Sequence, residues 1–256
     1  MSFDPAFARD VVLPLAQAAY TVMDGNPAVL PAGYSQTSLI QADAVMLTAL
    51  TDPHPAVVAM TKNTNIFGLM GRNATTRTAF LSFRGTSDAA EWVADIDALP
   101  EDYRPINGFG QVHSGFQAVY EVVRDNIAAN LAIATAGCDQ IVITGHSLGA
   151  ALAVLAAPDV ARKMPPNPIE PRLITFAGPK VGLGDFAAAF NALIESCYRV
   201  VNSLDIVPFL PPTPPTAYVH VGAQISVDSG GAISVGWRHS LAAYQQGLTA
   251  FIAAQQ

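Results

Sequence analysis

The amino-acid sequence predicts an α/β fold, a mostly parallel central sheet flanked by helices. Three observations point there. Short β-branched runs alternate with stretches of helical length through the second half of the chain, the pattern of parallel strands joined by crossover helices. A glycine-flanked serine, Gly145-His146-Ser147-Leu148-Gly149, joins one such run directly to an alanine-rich stretch. The chain has 256 residues, 51% hydrophobic and only 13% charged, where an average soluble domain has about 25% charged. A chain of this length buries a core without a disulfide or metal to hold it, and one domain over residues 1–256 is expected.

The elements follow in order. Residues 6–23 are apolar at roughly helical spacing, and Pro14 is expected to kink or split that helix. Residues 66–72 (IFGLMGR) and 78–84 (TAFLSFR), separated by Asn73–Arg77, read as a hairpin. The clearest helix spans 116–133, where Phe116, Val119, Tyr120, Val123, Ile127 and Leu131 form one apolar stripe. QIVIT (140–144) is a β-branched run suited to a buried parallel strand. GHSLGAALAVLAA (145–157) turns at once into a second helix. Strand-like LITFAG, a helical stretch around 185–195, strand-like YRVVNS, strand-like AYVHVG and a final helix at 240–254 complete the series. The Pro-rich stretches MPPNPIEP and PFLPPTPP read as loops.

Composition excludes several function classes. The net charge is −7, from 13 basic and 20 acidic residues. Lysine occurs only at 62, 163 and 180, and there is no basic run, so nucleic acid is not an expected partner. An acidic surface has no pull toward anionic lipid, so any lipid contact would be apolar. Cys138 and Cys197 are too few for a disulfide scaffold and lack zinc spacing. They are expected to be small buried thiols, and neither a metal nor a cofactor is expected. The opening MSFDPAFARD has no basic n-region. It does not read as a secretory signal, and the chain as it stands reads as cytoplasmic. The charge-free stretches 140–158 and 206–227 are interrupted by Gly, His and Ser, or by Pro, and neither is expected to cross a membrane.

The G-x-S-x-G pattern at 145–149 follows a buried strand and opens a helix, the setting of a nucleophilic serine on a tight strand-to-helix turn. Its neighbours must be small to avoid clashes, and the helix N-terminus carries partial positive charge toward a developing oxyanion. A serine needs a base. Of the two histidines after Ser147, His220 lies within AYVHVGA, whereas His239 lies in a turn just before the last helix, where it can reach over the sheet's C-terminal edge. His239 is therefore the expected base. Among the acids, Asp185 opens a helix and Asp228 lies in a Gly/Ser turn. Asp205 ends the run YRVVNSLD at the carboxyl end of a strand, where catalytic groups collect in open α/β sheets. It is the expected partner of the histidine.

The backbone N–H of Leu148 is one expected oxyanion donor, and the turn after FLSFRGT supplies a second at Thr86, which also offers a hydroxyl. Just beyond, Ala89, Trp92, Val93 and Ile96 recur at helical spacing, with Asp88, Glu91 and Asp95 on the other face and an N-cap signal at Asp88 and Glu91. Such a short amphipathic helix could act as a lid over an apolar site, turning Trp92, Val93 and Ile96 to a lipid surface.

These motifs resemble those of the class 3 lipases, the fungal-type triacylglycerol lipase family of the α/β-hydrolase fold. The resemblance covers roughly residues 65–245. It rests on FRGT with the W-V-A-D segment, VHSGF ahead of a long helix, VITGHSLGAALA, TFAGPKVG, RVVNSLDIVPFLPP and His239. It implies Ser147 as nucleophile, Asp205 as acid, His239 as base, Thr86 and Leu148 as oxyanion donors and residues near 87–96 as lid. It also implies a lipid or ester substrate, met at an oil–water interface. A monomer is expected. A feruloyl esterase or a phospholipase A1 of the same fold is the nearest alternative. A non-catalytic binding module is a remote one, because such proteins usually lose triad members and all three candidates are present.

Overall fold

The computed structural model describes residues 2–86, 99–163, 169, 171–213 and 217–255. A helical turn at Pro5–Phe7 and a π-helical segment at Ala8–Val12 run without a break into α1 (Leu13–Met23). Pro14 does not split this helix. The widened π turn leaves it in the first turn of α1, where a missing N–H is tolerated. Then come β1 (Tyr34–Gln41), α2 (Ala44–Ala49), α3 (Pro55–Thr61), β2 (Ile66–Asn73), β3 (Thr78–Phe83), β4 (Pro100–Asp102) and β5 (Gln111–His113). The second half holds α4 (Ser114–Thr135), β6 (Gln140–His146), α5 (Leu148–Lys163), β7 (Pro171–Phe176), α6 (Gly184–Leu193) and β8 (Cys197–Asn202). β9 (Ala223–Val227), α7 (Val235–His239) and α8 (Leu241–Ala253) end the chain.

The main sheet has the order β1-β2-β3-β6-β7-β8-β9, and β4 and β5 form a separate antiparallel ribbon. β1, β2 and β3 pair antiparallel, while every pairing from β3 to β9 is parallel. Successive side chains of a strand point to opposite faces, and each face has its own core. Ala79, Leu81, Ile141, Ile143 and Leu173 pack with α3, α4, α5 and α6. Phe80, Val142, Ile174 and Phe176 face α1 and α8 instead. Fully burying side chains of this size contributes about 1.5–3 kcal/mol each, so burial on both faces explains why these strands read as near-continuous apolar runs. Arg124 grips the buried Asp159 through two hydrogen bonds of 2.6 and 3.0 Å and ties α4 to α5.

The structure departs from the sequence expectation at both edges of the sheet. The AYVHVG segment is not a strand of the sheet. Its backbone makes one isolated bridge, from Val219 to Gly182, Arg199 of β8 donates to its Val221 carbonyl at 2.7 Å, and His220 donates from Nε2 to the Pro208 carbonyl at 2.7 Å. The strand beside β8 is the following segment, AQISV, whose residues are mostly solvent-facing. An edge strand needs little apolar character, which hid β9 and the half-polar β1, whereas the β-branched loop imitated a strand. Cys197 is buried, with its thiol pushed up to about 12 by desolvation, but Cys138 is only half-buried, and both are free. Among the described residues, no helix is long and apolar enough to cross a membrane.

Candidate active site

The site is built where β6 meets α5. Ser147 lies between them with φ of +59°, the left-handed region, which costs a non-glycine residue about 1–3 kcal/mol and persists only where the surroundings enforce it. Its N–H donates to the Phe176 carbonyl and its own carbonyl accepts from Ala150 N–H, at 3.0 and 2.9 Å. The flanking glycines have a steric cause. A Cβ on Gly145 would lie 2.2 Å from the Gly149 carbonyl oxygen, and a Cβ on Gly149 would lie 2.2 Å from that of Phe83. The first turn of α5 is thus pressed against the ends of both β6 and β3, which accounts for the G-x-S-x-G spacing.

His239, the last residue of α7, is aimed by Asp205 just beyond β8. Its Nδ1 lies 3.0 and 3.1 Å from the two carboxylate oxygens. Asp205 is wholly buried. It also accepts from Val207 N–H at 3.1 Å and from the Tyr244 hydroxyl at 2.7 Å. A carboxylate surrounded by donors is an acceptor only, so the His239 proton sits on Nδ1 and the Nε2 lone pair is free. Asp228 is largely exposed and pairs with Arg238, and Asp185 accepts from the Gln111 and Phe186 amides, so neither meets His239. His220 is held by Pro208.

Among the described residues, the buried side-chain atoms without a hydrogen-bond partner include Ser147 Oγ, His239 Nε2 and Thr86 Oγ1. No hydrogen bond joins Ser147 Oγ to His239 Nε2, a contact that often tightens only once substrate is bound. The loop after β3 lies against the elbow. A Cβ on Gly85 would be 3.1 Å from that of Ser147, so the turn that leads into Thr86 lies against Ser147. Leu148 is fully buried at the start of α5. The lid candidates Asp88, Trp92, Val93 and Ile96 lie outside the described residues. Among those described, no cluster of three or more His, Cys, Asp or Glu residues is arranged for a metal.

Five polar residues that the sequence reading did not single out complete the frame. Tyr244 accepts from the Asn202 amide and donates to Asp205. His146 donates from Nε2 to the His239 carbonyl at 2.7 Å, which leaves its Nδ1 to accept from the Tyr20 hydroxyl at 2.8 Å. Asn202 Nδ2 holds the Arg238 carbonyl at 2.8 Å, so the backbone beneath His239 is pinned twice. Arg84 bonds the Gly85 carbonyl. His146 and Arg84 stand inside motifs read only for their serine, glycine and threonine. Tyr244 lies one turn into α8, and Tyr20 carries no signal at all.

Burial lowers His146 to about 3 and His113 to about 4, both from an ordinary value of 6.5. The unfolded chain therefore takes up these two protons near pH 6.5, and the folded chain only near 4 and 3. Their contribution to stability is complete above pH 6.5 and declines as the pH falls. From these two groups the unfolding free energy should drop by roughly 3 kcal/mol per pH unit between about pH 6 and pH 4. Denaturant titrations across that range measure it, and a flat profile would contradict neutral burial of both rings.

A family model described as Lipase (class 3) matches residues 80–214, a little over half of the chain. A lipase of Rhizopus niveus is 34% identical over 172 residues, covering 64% of this chain and 42% of that protein. The phospholipase A1-II 3 of Oryza sativa subsp. indica is 34% identical over 186 residues, covering 61% and 44%. The chain spans under half the length of these curated relatives. Among solved structures, a triacylglycerol lipase whose catalytic centre is formed by a serine protease triad is 25% identical, with a TM-score of 0.63 over 84% of this chain and 77% of that one.

Proposed function

The chain belongs to the class 3 lipase family and has the α/β-hydrolase fold, and from that premise we propose that it hydrolyses the acyl esters of lipids through an acyl-enzyme on Ser147. The reading is carried by Ser147 held in a left-handed turn and a His239–Asp205 pair 3.0 Å apart, with His146, the chain neighbour of Ser147, bonded to the His239 carbonyl at 2.7 Å. Ser147 Oγ attacks the ester carbonyl as His239 Nε2 takes its proton, and Asp205 stabilises the resulting imidazolium. The Leu148 and Thr86 amides, with the Thr86 hydroxyl, receive the tetrahedral oxyanion. Collapse protonates and releases the alcohol, and water activated by the same histidine frees the acid.

The apolar surface around these loops supports a lipid substrate. Leu204, Ile206 and Phe209 flank Asp205 in the chain, and Ile233 and Val235 precede His239; all five are exposed. Exposed apolar side chains on the loops that carry Asp205 and His239 suit contact with an apolar substrate. The test is hydrolysis of p-nitrophenyl esters from acetyl to palmitoyl, of emulsified long-chain triglyceride and of phosphatidylcholine vesicles. Turnover of the emulsion is expected. Release of fatty acid from the sn-1 position of phosphatidylcholine alone would favour the phospholipase A1 reading, to which the similarity with the rice enzyme points. Turnover confined to soluble aromatic esters would favour a feruloyl-type esterase, and inertness toward every ester would overturn the reading.

A further inference from the structure

Arg84 closes β3 and precedes the Gly85–Thr86 turn. It is almost wholly buried, 3% exposed, and its guanidinium holds backbone carbonyls rather than a carboxylate. Nε donates to Ile66 at 2.6 Å, Nη2 to Met60 at 2.8 Å and Nη1 to Gly85 at 3.0 Å. Its plane lies over the Phe67 ring, 5.1 Å from the centroid. Desolvation lowers its pKa to about 10, so it stays charged at neutral pH. Burying a cation is costly, and the first two contacts alone would serve to anchor α3 and β2.

The third contact has a different consequence. The Gly85 carbonyl and the Thr86 N–H are the two ends of one planar amide. A donor fixed on the oxygen therefore sets the direction of the N–H. A positively charged donor there also draws electron density toward the oxygen and makes the N–H a stronger donor, as in any polarised chain of hydrogen bonds. The Tyr20 hydroxyl, itself bonded to His146 Nδ1, packs against the same turn. No side chain fits at 85, since a Cβ there would lie 2.6 Å from that hydroxyl and 2.8 Å from the His146 carbonyl oxygen.

We propose that Arg84 is a positioning residue for the oxyanion hole, aiming and polarising the Thr86 amide through the Gly85 carbonyl. This rests on the assignment of Thr86 as an oxyanion donor, proposed above. Arg84 touches no substrate. Its effect belongs to the transition state, where negative charge develops, and not to binding of the neutral ester.

The experiment compares wild type with Arg84→Met and Arg84→Lys, using a soluble butyrate ester and an alkylboronic acid that forms a tetrahedral anionic adduct on serine. In Arg84→Met, kcat and boronate affinity should fall together by about 10- to 100-fold, with KM nearly unchanged. Arg84→Lys should recover part of the loss, because it restores charge without the planar fork. An unchanged kcat, or a change confined to KM, would overturn the proposal. Wild-type protein provides a measurement independent of variant folding. On boronate binding, the Thr86 amide proton and the Arg84 guanidinium protons should shift downfield together in proton–nitrogen spectra. Movement of Thr86 with Arg84 silent would overturn the role of Arg84. Movement of Leu148 without Thr86, or no boronate binding at all, would overturn the underlying oxyanion assignment instead.

Discussion

Ser147→Ala should reduce turnover of soluble esters about a millionfold, the scale seen when the nucleophile of a serine triad is removed. Stability should change little or rise. The wild-type hydroxyl is buried without a hydrogen-bond partner, so its loss breaks no bond and removes a buried polar group. A methyl in its place keeps the same backbone strain at φ +59°. Initial rates and thermal unfolding of the two proteins read both effects. A variant that still turns over esters at the wild-type rate would remove Ser147 from the chemistry. A variant that has merely unfolded would be exposed by its melting curve.

The second large effect belongs to Asp205→Asn, expected to lower kcat about ten-thousandfold. Asp205 is wholly buried and receives three kinds of donor: the His239 Nδ1–H, the Tyr244 hydroxyl and the Val207 amide. Asparagine has one acceptor oxygen, so its amide N–H must face one of these donors. His239 can escape that clash by moving its proton to Nε2, the tautomer that cannot take a proton from serine. The unsatisfied buried donors should also cost about 1–3 kcal/mol of stability. That is less than the roughly 5.5 kcal/mol that a ten-thousandfold rate loss represents, so the catalytic effect dominates. Asp228→Asn is the control. Its carboxylate is mostly exposed and bonds Arg238, and activity should stay near wild type. Exchange of these two outcomes would transfer the acid role to Asp228.

Ser147 was recognisable because its spacing is local: strand, glycine, serine, glycine and helix are contiguous, and the 2.2 Å approaches at Gly145 and Gly149 explain why no other residue fits. Asp205 stands out by its place after a strand and His239 by its place before the last helix; Asp205 follows the end of β8, and His239 lies in a short helix, α7, rather than the expected turn. β1 and β9 escaped because edge strands with one wet face lack the apolar signature, and AYVHVG imitated a strand because β-branched content alone does not create a partner. The two-stranded ribbon of β4 and β5 is too short to leave a pattern.

By itself, the sequence determined the parallel core, the strained serine turn and which serine, histidine and aspartate are the candidates for the chemistry. Each of these depends on periodicity or on contacts a few residues apart, which a linear string records. Only the tertiary structure decided how those groups are held. The Tyr244 hydroxyl on Asp205, the Tyr20–His146–His239 chain and the Arg84 grip on the Gly85 carbonyl join residues from separate elements. Such contacts arise from the packing of α1, α8 and the strand ends against one another, and an ordinary tyrosine or arginine in the chain does not announce which distant backbone atom it will meet.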